Sequence, residues 1–111
     1  MSILKDKKAF FAAVAKPEVA DVEIPGAGTI RVKALSVAEL IAFEEGLKDK
    51  SDVEKAVALI VATAIDGSGA PFFGAEDAAQ LQSTLSPKAL TLITDAAARL
   101  NALSKDDAEK K

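Results

Sequence analysis

The chain contains no cysteine, histidine, tyrosine or tryptophan. Without cysteine it has no disulfide framework, no thiolate nucleophile and no cysteine-based metal site, a composition that suits a cytosol. Without histidine, general acid–base chemistry falls to carboxylates and lysines, and nucleophilic catalysis to serine or threonine with a lysine base. Aromatic residues make up 5% of the 111 residues, all of them phenylalanine. The core is therefore expected to consist of aliphatic side chains between closely approaching, alanine-rich elements. No apolar run approaches the ~20 residues that span a bilayer, so a soluble protein is expected. Charge of one sign is not concentrated either. The formal net charge is −3 and the basic residues are scattered, whereas a phosphate-backbone footprint needs lysine and arginine clustered on one face. Neither nucleic acid nor a membrane is an expected partner.

The N-terminus, with lysines followed by an apolar run ending in Ala13-Val14-Ala15, mimics a signal peptide. It is not read as one: Asp6 sits among the lysines, and the run from Phe10 to Ala15 is shorter than the roughly 7–15 residues an h-region needs. Half of the residues are hydrophobic, enough for one domain with a modest core, here residues 1–104. The charged tail 105–111 is expected to be disordered.

The stretch Ala56 to Ile65 is apolar at every position except Thr63, so it is a buried helix or a buried strand. Ser51-Asp52-Val53-Glu54 before it has the form of a capping box, which predicts a central apolar helix over residues 52–64. Ser36-Val37-Ala38-Glu39 is a second capping box and opens a helix over 37–47, with Leu40, Ile41, Phe43 and Leu47 as its apolar stripe. Ile3 to Ala15 reads as a first helix, ended by the restriction Pro17 places on Lys16. Ala75 to Leu85 reads as a short helix with Glu76 and Asp77 in its first turn. Ser86-Pro87, an N-cap followed by proline at the first helical position, opens a last helix to about Leu103.

Between the first two helices the period changes. Ala20, Val22, Ile24, Ile30 and Val32 alternate with Asp21, Glu23, Thr29, Arg31 and Lys33 on either side of Pro25-Gly26-Ala27-Gly28. That pattern predicts a β-hairpin over residues 19–34 with one solvated face and a cross-strand Glu23–Arg31 pair. The expected fold is α+β and mainly α, with about five helices around the helix 52–64 and one hairpin.

Little in this pattern carries chemistry. Glu39, Glu44 and Glu45 form the densest carboxylate group, but a capping residue and a solvated helix face account for them. The segment Asp66 to Asp77 has the length of an EF-hand loop and fails its pattern: Ala70 stands at the fifth position, Pro71 where glycine is required, and Asp77 where a bidentate glutamate is required. Pro25-Gly26-Ala27-Gly28 joins two strands and has no helix start after it, so it is a turn and not a phosphate cradle. No metal, cofactor or enzymatic activity is expected. Two features suit protein binding. Phe10-Phe11 and Phe72-Phe73 are adjacent aromatic pairs, and adjacent side chains on a regular element cannot all face one core; the alternative is that loop geometry and a second packing layer bury them. The hairpin, with Ile30 and Val32 on its second strand, offers strand edges to another chain. The candidate partner-binding residues are Phe10, Phe11, Ile30, Val32, Phe72 and Phe73.

The order of these segments resembles the tail assembly chaperones of long-tailed bacteriophages and prophages. The resemblance runs from about Val19 to Ser104. It rests on the hairpin, on Lys33-Ala34-Leu35-Ser36-Val37-Ala38-Glu39 passing into a helix with Phe43-Glu44, and on an apolar helix ending in Asp66-Gly67-Ser68-Gly69-Ala70-Pro71-Phe72-Phe73. Glu76-Asp77 and a closing helix with Leu100-Asn101 complete it. What the resemblance implies is a non-enzymatic assembly factor of the host cytoplasm, absent from the finished virion. It would bind the tape measure protein, keep it soluble, recruit tail tube protein around it, and self-associate weakly. The resemblance also implies a longer form made by ribosomal frameshifting, with its junction in the tail from Lys105 and Lys110-Lys111 encoded by the slippery run. Rival readings are a small structural tail or head–tail connector protein and a generic protein-binding adaptor.

Overall fold

The computed structural model describes residues 3, 5–15 and 17–101. Its elements follow in the order α1 (Lys7–Val14), β1 (Val19–Ile24), β2 (Gly28–Lys33), α2 (Val37–Glu45), α3 (Asp52–Thr63), β3 (Ala64–Ile65), a single 3-10 turn (Ala75–Asp77), α4 (Ala78–Thr84) and α5 (Pro87–Leu100). The class is α+β with helix dominant, as expected. The tail from residue 105 and the expected extension of the last helix to Leu103 lie outside the described residues.

Serine caps fix where three of the helices begin. At α2 the Ser36 hydroxyl accepts from the Glu39 N–H at 3.1 Å while the Glu39 carboxylate accepts from the Ser36 N–H at 2.9 Å. Ser51 and Glu54 repeat this at α3, at 3.2 and 2.8 Å. At α5 the Ser86 hydroxyl accepts from the Ala89 N–H at 3.1 Å, with Pro87 at the first helical position. Each cap satisfies donors that a helix start leaves without partners, and contributes about 1 kcal/mol.

The hairpin closes through Pro25-Gly26-Ala27, where Ala27 N–H donates to Ile24 C=O at 2.9 Å and Gly26 has φ +81°. Proline followed by a residue of positive φ is the arrangement of a type II turn. The three-residue loop sets the register: Ile24 faces Gly28, Glu23 faces Thr29 and Asp21 faces Arg31. The expected Glu23–Arg31 pair is therefore replaced by Asp21–Arg31, because the turn count puts Asp21 directly opposite. Ala20, Val22, Ile24, Ile30 and Val32 point inward.

The sheet has a third strand that the periodicity did not reveal. Helix α3 stops at Thr63, the backbone extends at Ala64 (ψ 132°), and Ala64 and Ile65 pair antiparallel with Val32 and Arg31. After a turn at Asp66–Ala70 the chain folds back: Pro71 bridges to Ile65, and Phe72 N–H donates to Ala64 C=O at 3.0 Å. A buried helix and a buried strand are both continuous in apolar residues, so the run through Ile65 carried no sign of the change.

The core lies between the inner face of the sheet and helices α3, α4 and α5, with Val22, Val32, Val57, Ile60, Leu81 and Ile93 among its members. The expected set of helices around a central 52–64 helix is not what forms. Helix α5 packs on both α3 and the hairpin, while α1 and α2 bury none of their residues. Within α3, Thr63 is fully buried and its hydroxyl donates to Leu59 C=O at 2.7 Å, so the polar group carries no unsatisfied-burial penalty.

One side chain ties the ends of this arrangement together. Asn101, the C-cap of α5, accepts from the Leu35 N–H at 2.6 Å and donates to Ala97 C=O at 2.9 Å and to Lys33 C=O at 3.4 Å. The link between β2 and α2 is thus held to the end of α5.

Candidate functional site

The six candidate residues fall into three places. Phe10 and Phe11 stand on α1, 44% and 62% exposed, with ring centroids 5.4 Å apart. Phe72 and Phe73 stand after the β3 return turn in an edge-to-face arrangement at 4.8 Å. Phe72 is 55% exposed, whereas Phe73 packs against the core. The pair therefore divides its work: Phe73 anchors the loop and Phe72 projects from it. Ile30 is half-buried against the core.

Val32 requires a correction. It is fully buried, because it points from the middle strand β2 into the core between the sheet and helices α3 and α5. Its side chain can meet a partner only if the core opens, so Val32 is a core residue and not part of an accessible surface. The pairing of β3 with β2 narrows the strand edge on offer. Among the described residues, β1 pairs with β2 alone, and β1 carries the free edge of the hairpin.

The structure brings Ile30 and Phe72 to one shallow cleft of about 280 Å³, whose walls include Asp21, Arg31, Ile65 and Asp66. Phe10 and Phe11 do not line it. Arg31 and Asp21 form a two-pronged ion pair on its rim, at 2.7 and 3.1 Å. The guanidinium holds the Asp21 carboxyl below its usual range, and the carboxylate in turn raises Arg31. Ile65 is buried on the outer face of the sheet beside this pair. Nothing in the sequence marks Ile65 as a cleft residue, because the apolar run continues from α3 into β3.

The loop that presents Phe72 is held by Asp66. Its carboxylate accepts from Ser68 N–H at 2.8 Å, from the Ser68 hydroxyl at 2.6 Å and from Ala70 N–H at 3.1 Å. The Ser68 hydroxyl, followed by the Ser68 and Ala70 amides, holds the Asp66 carboxyl below its ordinary range. That carboxylate organises a turn.

Of the carboxylates on α2, Glu39 is engaged in the helix cap and pairs with Lys33 at 3.3 Å. The Ser36 N–H, and after it Lys33, shift Glu39 downward. A proton donor at neutral pH needs the opposite shift. Glu44 and Glu45 are exposed on the same helix. Among the described residues no helix is long and apolar enough to cross a membrane.

The fold, a small sheet backed by helices, has a solved counterpart. The chain is similar to the structure of the bacteriophage HK97 tail assembly chaperone, with a TM-score of 0.55 over 82% of this chain and 91% of that one. The two share a fold. Their sequences are 18% identical. No family model matches the chain, and no curated protein matches it by sequence.

Proposed function

We propose that this chain is a non-enzymatic tail assembly chaperone of a long-tailed phage or prophage, acting in the bacterial host cytoplasm. In this reading it binds the tape measure protein, keeps it soluble, and recruits tail tube protein around it. The observation that carries the reading is the fold shared with the HK97 tail assembly chaperone over 82% of this chain and 91% of that one.

The surface supports it. A chaperone for a long, association-prone filament protein needs apolar side chains that its own fold does not use, on a body whose net charge keeps the free protein soluble. Phe10, Phe11 and Phe72 meet the first condition and the net charge of −3 meets the second. Phe72 inserts into the partner beside the cleft that Ile30 helps to line, while the free edge of β1 receives an extended segment. Phe73 acts from within, by fixing the loop.

The test is co-expression with the longest coiled-coil open reading frame near the gene, followed by size-exclusion chromatography with light scattering. The reading predicts that the partner becomes soluble only with this chain and that several copies elute with it. An insoluble partner beside an inert, freely eluting chain would refute it.

A further inference from the structure

Two helices of this protein leave apolar stripes uncovered, and the stripes match. On α1, Lys7, Phe10, Phe11 and Val14 share one face by helical spacing, and the three apolar residues are exposed. On α2, Leu40 and Phe43 turn toward the body, while Val37, Ile41 and Glu44 lie along a neighbouring face that is exposed. Each stripe spans about 10 Å at 1.5 Å per residue. Both helices end at one place: Ala13, Val14 and Ala15 border the same cavity of about 560 Å³ as Leu35, Ser36 and Glu39. The C-terminal end of α1 and the N-terminal end of α2 thus face one opening.

Helices meeting in this sense close as an antiparallel pair. With Val14 opposite Val37, the next turn sets Phe10 and Phe11 opposite Ile41, and the turn after that sets Lys7 opposite Glu44. Apolar groups meet apolar groups and the one cation meets an anion. The charge division runs beyond the stripes: residues 1–16 carry four lysines and one aspartate, a net +3, against a whole-chain net of −3, which leaves −6 on the remainder. Proline at position 17 prevents α1 from continuing as one helix into β1, so the arm joins the body through a short connection. A tether of that length gives the arm a high effective concentration at α2.

We propose that α1 is an arm that closes on α2 of its own chain, covering Val37 and Ile41 with Phe10, Phe11 and Val14 and pairing Lys7 with Glu44. Closure hides much of the exposed apolar surface of the free protein; opening releases two stripes at once to a partner. The inference stands apart from the tail-assembly reading and is tested without any partner.

The absence of native cysteine makes the test direct. In the double variant Phe10→Cys, Ile41→Cys, mild oxidation should yield an intramolecular disulfide in a species of monomer mass. It should form at least several-fold faster than in the control pair Ala9→Cys, Ile41→Cys, where the first cysteine lies on the opposite face of α1. Adding Lys7→Glu should slow the reaction several-fold, and adding Glu44→Lys as well should restore it. Cross-linking found only in dimers, equal rates in test and control pairs, or indifference to the charge reversal would each overturn the proposal.

Discussion

Asn101→Ala removes the clasp that joins the end of α5 to the β2–α2 link. The three hydrogen bonds of the side chain are not equivalent. Ala97 C=O also accepts from the Asn101 backbone N–H at 3.1 Å, so it keeps a partner, and the contact to Lys33 C=O is long at 3.4 Å. The bond from the part-buried Leu35 N–H at 2.6 Å is the one whose loss leaves a donor without a partner. Such a group costs about 1–3 kcal/mol, and the substitution should destabilise the protein by that amount, a fall of roughly 5–15 °C in the thermal midpoint for a domain of this size. Asn101→Asp separates the contributions. The carboxylate still accepts from Leu35 N–H but turns an oxygen toward Ala97 C=O and puts negative charge at a helix C-terminus. It should be at least as destabilising as alanine at pH 7. Because the folded state raises the pKa of such a carboxyl, the deficit shrinks as pH falls through that raised value. The assay is urea unfolding followed by circular dichroism at pH 7 and pH 4.5. A loss below about 0.5 kcal/mol for Asn101→Ala would refute the reasoning, since even a single net hydrogen bond is worth more than that.

Three further outcomes are expected. Ile60→Ala, at a fully buried core position, should lose about 2–5 kcal/mol in the same assay, whereas Phe72→Ser should leave stability nearly unchanged and weaken capture of a partner in co-purification. Acid should destabilise the fold, because Asp66, Glu39 and Glu54 all have folded-state values held below their ordinary 3.8, 4.5 and 4.5. Their contributions are complete above those ordinary values and disappear as pH drops through the depressed ones. Asp66→Asn, which keeps a neutral acceptor for Ser68 and Ala70 but lacks the charge, should be less stable than the parent protein at pH 7 and converge with it below pH 4, so that its own loss in acid is shallower, read from unfolding curves across that range.

Helix starts were the most legible feature of the chain, because a capping box is a local device: Ser36 with Glu39, and Ser51 with Glu54, lie three residues apart and need nothing from elsewhere. The hairpin was legible for the same reason, its alternation and its Pro25-Gly26 turn being contained within residues 19–34. Contacts set by register or by distant chain were not. Whether Asp21 or Glu23 meets Arg31 depends on how many residues the turn consumes. The Asn101–Leu35 bond joins positions 66 apart, and no periodicity signals it. The switch from helix to strand at Ala64 was invisible because Val61 to Ile65 suits either state when buried. That switch also decided the site: pairing of β3 with β2 closed the outer edge of β2 and brought Ile65 beside Arg31. Exposure of Phe72 and packing of Phe73 followed from the return turn held by the Asp66 bonds to Ser68 and Ala70, which no periodicity signals.

The most direct measurement deletes the gene from the phage or prophage that encodes the chain, examines the induced particles by electron microscopy, and searches complete parental virions for the chain by mass spectrometry. The account predicts filled heads without tails after deletion, rescue by the parent chain supplied in trans, and no trace of the chain in purified virions. Normal tails after deletion, or a stoichiometric presence of the chain in finished tails, would contradict it.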